Sequence, residues 1–265
     1  YKGFDPMTDD IFHLHSGTSP LLISLPHDGS AIPEALQARM QPEARLAPDT
    51  DWHVSRLYDF AKSLGATILQ PRYSRYVIDL NRPPDDVSLY PGQNTTGLCP
   101  MKQFSGDPVY LEGHWPSEHE ISSRIEHYWR PYHHALKTQI ARLHFLHGRV
   151  LVWEGHSIKS RVPFLFEGVL PDFNIGTVAG TSCKPETQNA IEKILSEQTR
   201  FTSVSNGRFK GGYITREYCD VAKNIETVQL ELAQTTYMDE DSLQYDDAKA
   251  GHVQAVIRRI FDAVL

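Results

Sequence analysis

Four short apolar runs in this chain each end in polar residues. They are Leu21-Leu22-Ile23-Ser24-Leu25 before Pro26-His27-Asp28-Gly29, Tyr76-Val77-Ile78-Asp79-Leu80 before Asn81-Arg82, Val150-Leu151-Val152-Trp153 before Glu154-Gly155-His156-Ser157, and Thr227-Val228-Gln229-Leu230-Glu231-Leu232. Such runs read as buried strands, and a polar residue at the end of a buried strand is held rigidly. The spacing predicts further strands at Ala66–Gln70 and Phe173–Val178, with the third run starting at Arg149. Helical spacing covers Asp51–Leu64, which stops at Gly65, a residue suited to a left-handed C-cap. It also covers Ser117–His147, Glu186–Gln198 and Asp246–Val264. In Ser117–His147 a break is expected near Pro131. The core stripe there is Ile121, Ile125, Tyr128, Trp129, Leu136, Ile140, Leu143 and Leu146. Strands alternating with helices predict an α/β sheet covered on both faces.

From Arg82 to Pro116 the chain is rich in Pro, Gly, Asn, Thr and Asp and has no sustained period. A loop of that length inside a compact domain is usually functional. No repeat or linker interrupts the pattern, so residues 7–265 read as one domain. Tyr1 to Pro6 precede Met7 and read as a remnant ahead of the natural start.

The polar residues at the strand ends suggest a chemistry. His27 and His156 have the placement of metal ligands, and a catalytic metal needs a third, preferably anionic, ligand. Asp49 and Asp51 sit where a predicted helix begins, and acids there also serve as caps; one of the two is expected to be that ligand. Asp28 is the poorer candidate, since a sequence neighbour of His27 tends to point away. Glu231 sits in an apolar strand, where a carboxylate is costly without a partner or a task, and it is the candidate general base. Glu154 is its rival, or a partner to a ligand, whereas Glu226 is expected to be exposed. Asn81 and Arg82 can clamp a carboxylate with parallel hydrogen bonds, and Arg75, Arg161, Arg208 and Lys210 are further cations. The segment from Asn206 to Tyr213 mixes glycine, charge and aromatics as substrate-covering loops do, but contains no P-loop pattern.

Charge narrows the picture. A formal net charge of −7 with no basic block argues against nucleic-acid binding. No apolar run is long enough for a membrane span and no secretory signal is evident, so a cytoplasmic protein is expected. Cys99, Cys183 and Cys219 are far apart and read as packed, reduced thiols.

The motifs Leu25-Pro26-His27-Asp28-Gly29, Asp49-Thr50-Asp51-Trp52, Ser74 to Arg82, Leu89-Tyr90-Pro91-Gly92, Gly155-His156-Ser157-Ile158, Asn206 to Thr215, Gln229-Leu230-Glu231-Leu232 and Tyr237-Met238-Asp239-Glu240 resemble the N-formylglutamate amidohydrolase family. The resemblance runs from about Leu21 to Glu240. It implies a three-layer α/β/α fold with a mixed, mostly parallel sheet, phosphorylase/hydrolase-like, as in zinc carboxypeptidases and zinc-dependent amidases. It also implies the last step of one bacterial histidine-degradation route, in which N-formyl-L-glutamate and water give formate and L-glutamate. Carried over by motif, His27, His156 and either Asp49 or Asp51 would bind zinc, Asn81 and Arg82 would take a substrate carboxylate, and Glu231 would be the base. Arg161 or Arg208 would meet the second carboxylate of this dianionic substrate, with a donor from the Arg208–Tyr213 loop at the reacting carbonyl. The carboxypeptidase acid lies three residues after the first His, where this chain has Ser30. The resemblance therefore implies an acid from elsewhere, as in the amidases, where it opens the following helix; that favours the Asp49/Asp51 segment and leaves the choice between the two open. A related zinc amidase or peptidase with another acyl substrate, and a metal-free binding protein, are the competing readings.

Overall fold

A computed structural model describes residues 11–89 and 91–265; Tyr1 to Pro6 and Tyr90 of the Leu89–Gly92 motif lie outside the described residues. The strands are β1 (Phe12–His15), β2 (Leu21–Ser24), β3 (Thr67–Pro71), β4 (Val150–Ile158), β5 (Phe173–Gly176), β6 (Ser203–Ser205) and β7 (Ile225–Ala233). They form one sheet in the order β1-β3-β2-β4-β7-β5-β6. The four neighbours β3, β2, β4 and β7 run parallel, while β1 and β5 pair antiparallel with β3 and β7. β6 runs parallel to β5. β2 and β4 are buried along their whole length, as expected of strands covered on both faces.

The helices are α1 (Glu34–Gln37), α2 (Val54–Tyr58), α3 (Glu118–Arg124), α4 (Arg130–His147), α5 (Pro185–Glu197), α6 (Tyr213–Glu217) and α7 (Asp247–Val264). Alternate residues of each central strand face opposite layers. Leu21, Ile23, Leu151, Trp153, Val228 and Leu230 pack with α2, α5 and α7 through Leu57, Tyr58, Ile191, Ile257 and Phe261. Leu22, Val150 and Val152 pack with Tyr132, Leu136 and Leu143 of α4 and Ile214 of α6. The result is the expected α/β/α architecture. Among the described residues no helix is long and apolar enough to cross a membrane.

Several elements depart from the expected ones. The Asp51–Leu64 stretch starts later, at Val54, and tightens into 3-10 turns over Asp59–Leu64; it ends at Gly65 with φ +73°, the predicted left-handed cap. The long helix is capped by Ser117 and interrupted by a π-turn over Ile125–Trp129, so the break precedes Pro131, which sits in the first turn of α4. Leu146 is exposed, and the buried stripe ends at Leu143. β5 stops at Gly176 because Val178 turns to φ +50°. Glu226 is buried, and its carboxylate accepts the Lys184 N–H.

The largest departure is Tyr76–Leu80, which is not a strand. Its apolar residues are buried all the same: Tyr76 and Val77 join Ile32, Leu36, Met40, Val109 and Tyr110 in a satellite cluster under the long loop. Ile78 and Leu80 join the cluster between the sheet and α4, so the apolar run reports burial against both loop and sheet without being a strand itself.

Candidate metal centre and substrate pocket

β4 extends five residues beyond the predicted Trp153, so Glu154 and His156 lie on one face of it, two residues apart. His27 follows β2, the neighbouring parallel strand. The Asp51 N–H donates to the His27 carbonyl at 3.0 Å, and the Asp51 carboxylate accepts the Ser157 N–H at 3.1 Å. These bonds bring three side chains to one point. Asp51 Oδ2 lies 3.0 Å from His156 Nδ1 and 3.8 Å from His27 Nδ1. One ligand atom from each of the three buried residues falls within 4.8 Å of the others.

Both imidazoles are gripped from behind. Asp79 Oδ1 stands 2.6 Å from His27 Nε2, and Glu154 Oε1 stands 2.7 Å from His156 Nε2. A carboxylate at one ring nitrogen fixes the proton there and leaves the other nitrogen for a cation. The other oxygens of the two acids are held by Arg75 Nη2 at 2.8 Å and by the Thr215 hydroxyl. Burial, with the Arg75 charge, lowers the His27 pKa and favours a neutral ring. Burial opposes charge on Asp79, but His27, Arg75 and Arg82 outweigh it and hold the carboxyl well below its usual range. At His156 burial again opposes charge, and Glu154 and Asp51 overcome it and raise its pKa well above the ordinary value. The group thus has two nitrogens and a carboxylate converging on a point that attracts positive charge. That donor set fits a divalent metal with a position left open, zinc being the ordinary occupant of such N/O sites.

Asp49 and Asp51 are no longer equivalent. The Asp49 carboxylate accepts the Tyr76 hydroxyl at 2.5 Å and the Phe104 N–H at 2.8 Å, and burial raises its pKa. It stands outside the ligand group, tying the long loop to the Tyr76 segment. Asp28 points away as expected, accepting the Ser55 N–H.

A cavity opens at His27, Asp51 and His156, lined also by Arg75, Asn81, Arg82, Thr96, Arg208 and Glu231 among others. Glu231 lies opposite His156 in the β4–β7 register, on a central strand rather than a solvent edge. Burial pushes its carboxyl pKa up, with the nearby His156 opposing. Arg82 is steadied by Nε donating to the Thr96 carbonyl at 2.8 Å, and Arg208 by bonds to the Leu165 and Asn94 carbonyls. Asn81 accepts the Ile214 N–H at 2.9 Å, and its Nδ2 lies 3.2 Å from His156 Nε2. A Cβ added at Gly212 would stand 2.3 Å from Asn81 Nδ2, so this approach requires glycine.

Two expected substrate residues lie elsewhere. Arg161 lines a neighbouring cavity with Asp49, Lys159 and Gln234. Tyr213 packs its ring against Trp129 and His133, behind the pocket wall. Arg75 and Asp79 carry more than their sequence suggested. The signal that could have singled out Asp79 is its place inside an apolar run, where an acid needs a buried partner.

Fold and site together define an α/β protein whose buried two-histidine, one-aspartate group, at the end of its parallel strands, is able to hold a metal. The N-formylglutamate amidohydrolase family profile matches residues 19–238, and the chain belongs to that family. It is 48% identical to an N-formylglutamate deformylase of Pseudomonas putida over 258 residues, 97% of this chain and 96% of that one. An N-formylglutamate deformylase of Pseudomonas aeruginosa is 47% identical, over 97% of each chain. The crystal structure of an N-formylglutamate amidohydrolase from Ralstonia eutropha superposes with a TM-score of 0.81 at 25% identity, covering 96% of this chain and 97% of that one.

Proposed function

We propose that the protein hydrolyses N-formyl-L-glutamate to formate and L-glutamate at a zinc ion held by His27, Asp51 and His156. One observation carries the reading: the buried ligand group, Glu231 and two loop-anchored arginines line a single cavity. A divalent cation bound there would polarise a carbonyl and lower the pKa of water. Glu231 takes the proton of the attacking water and returns it to the leaving nitrogen. Burial raises its pKa toward the range in which a carboxyl can do both. Arg82 holds one substrate carboxylate, and Arg208, on the same cavity, holds the other. Asn81, engaged by Ile214 and beside His156, braces the site more than it reaches for substrate. The names of the curated relatives support the substrate, and Arg82 and Arg208, in one pocket beside an Arg75 already paired with Asp79, suit a dianion.

Formate release from N-formyl-L-glutamate, with and without a chelator, tests the proposal. N-acetylglutamate and N-formylaspartate serve as specificity controls. Turnover that survives complete metal removal overturns the metal assignment, and no release by metal-loaded protein overturns the substrate. A cytoplasmic small-molecule enzyme of histidine breakdown, folded as a single domain, is the setting this reading implies.

A further inference from the structure

The segment that carries Arg82 has no sheet to satisfy its carbonyls, and a helical arm does so instead. Arg124 Nη1 donates to the Val77 carbonyl at 2.9 Å, His133 Nε2 to Leu80 at 2.8 Å, and Trp129 Nε1 to Arg82 at 3.0 Å. These donors are spaced five and then four residues apart. In an unbroken α-helix five residues turn roughly 500°, which would carry Trp129 about 140° off the face of Arg124. The π-turn over Ile125–Trp129 absorbs the extra residue and lets all three face the same segment.

His133 is locked in one tautomer. The Leu80 carbonyl can only accept, so Nε2 carries the hydrogen, and Nδ1 accepts from the Tyr218 hydroxyl at 2.6 Å. The ring stacks on Trp129 with centroids 3.7 Å apart and lies parallel to Tyr218. Burial drives the His133 pKa down to about 3, so the ring stays neutral.

We propose that this π-turned arm is a positioning device for substrate binding. Trp129 and His133 fix the carbonyls of Arg82 and Leu80, and so the direction of the Arg82 guanidinium, without touching substrate. The inference rests on Arg82 as the carboxylate clamp.

Trp129→Phe removes the N–H and keeps a ring in the stack. Tyr218→Phe removes the hydroxyl that locks the tautomer. Either loss loosens the backbone that aims Arg82, so part of the charge-assisted clamp, about 10- to 150-fold in all, is forfeited. Each variant is therefore expected to raise KM for N-formyl-L-glutamate at least about fivefold, with kcat within about twofold and metal content unchanged. The dissociation constant of L-glutamate, measured by calorimetry on metal-loaded protein, should rise in parallel. In Tyr218→Phe the His133 ring nitrogens should shift in ¹⁵N spectra, which a purely packing role would not cause. Folded variants with unchanged KM and unchanged glutamate affinity overturn the proposal, as does a loss confined to kcat or to metal content. Wild-type formate release is read separately and bears on the activity alone, whereas glutamate binding reads the arm without turnover.

Discussion

Asp79 Oδ1 lies 2.6 Å from His27 Nε2, and its other oxygen is held by Arg75 at 2.8 Å. One buried carboxylate thus orients a candidate metal ligand and neutralises a guanidinium. Asp79→Asn keeps the shape while removing the charge that fixes the His27 proton. Loss of such a partner typically lowers metal affinity 10- to 100-fold. Competition against a chelator of known affinity measures the change, and an unaltered constant would show that His27 does not depend on Asp79.

Glu231→Gln separates proton transfer from metal binding. The amide is nearly isosteric and cannot accept a proton from water. Its expected effect is a fall in kcat of about 10²- to 10⁴-fold at unchanged metal stoichiometry. Formate release and metal analysis on the same preparation check it. Full turnover would remove Glu231 from the chemistry and make Glu154, which already holds His156, the next carboxylate to test.

Arg82 and Arg161 give a contrast within one experiment, because they line different cavities. A charge-assisted bond contributes ~1.5–3 kcal/mol, so Arg82→Ala should raise KM about 10- to 150-fold. Arg161→Ala should change KM less than about threefold. The reverse order would mean that substrate occupies the neighbouring cavity.

These contrasts mark where the chain was legible and where it was not. The central strands, both histidines and Glu231 were readable because a buried strand imposes a short, continuous apolar run. Asp49 and Asp51 were indistinguishable, since two residues of spacing cannot say which carboxylate meets Tyr76 and which meets the histidines. The Tyr76–Leu80 run looked like a strand because its burial is real; only the tertiary donors Arg124, Trp129 and His133 reveal how its carbonyls are satisfied. Arg161 and Tyr213 were placed by charge and motif proximity, and neither property encodes which side of a wall a side chain faces.

His133 gives the protein an acid limb of known sign. Its folded pKa, held by burial at about 3, lies below the ordinary histidine value of 6.5. Between those values the unfolded chain binds the proton and the folded one does not, so stability falls as pH falls from 6.5. Asp79 adds to this only lower down. Its folded pKa is well below 3.8, so its contribution is present above that value and is lost as pH drops through the folded one. His27 and His156 titrate alike in wild type and in His133→Gln, so their effects cancel in the difference. His133→Gln should be less stable than wild type at about pH 7, and the gap should close by ~2 kcal/mol at about pH 5. Urea midpoints of both proteins at the two pH values measure this. A gap that stays constant would mean that His133 takes up its proton without leaving the Leu80 carbonyl, and the neutral tautomer would have to be abandoned.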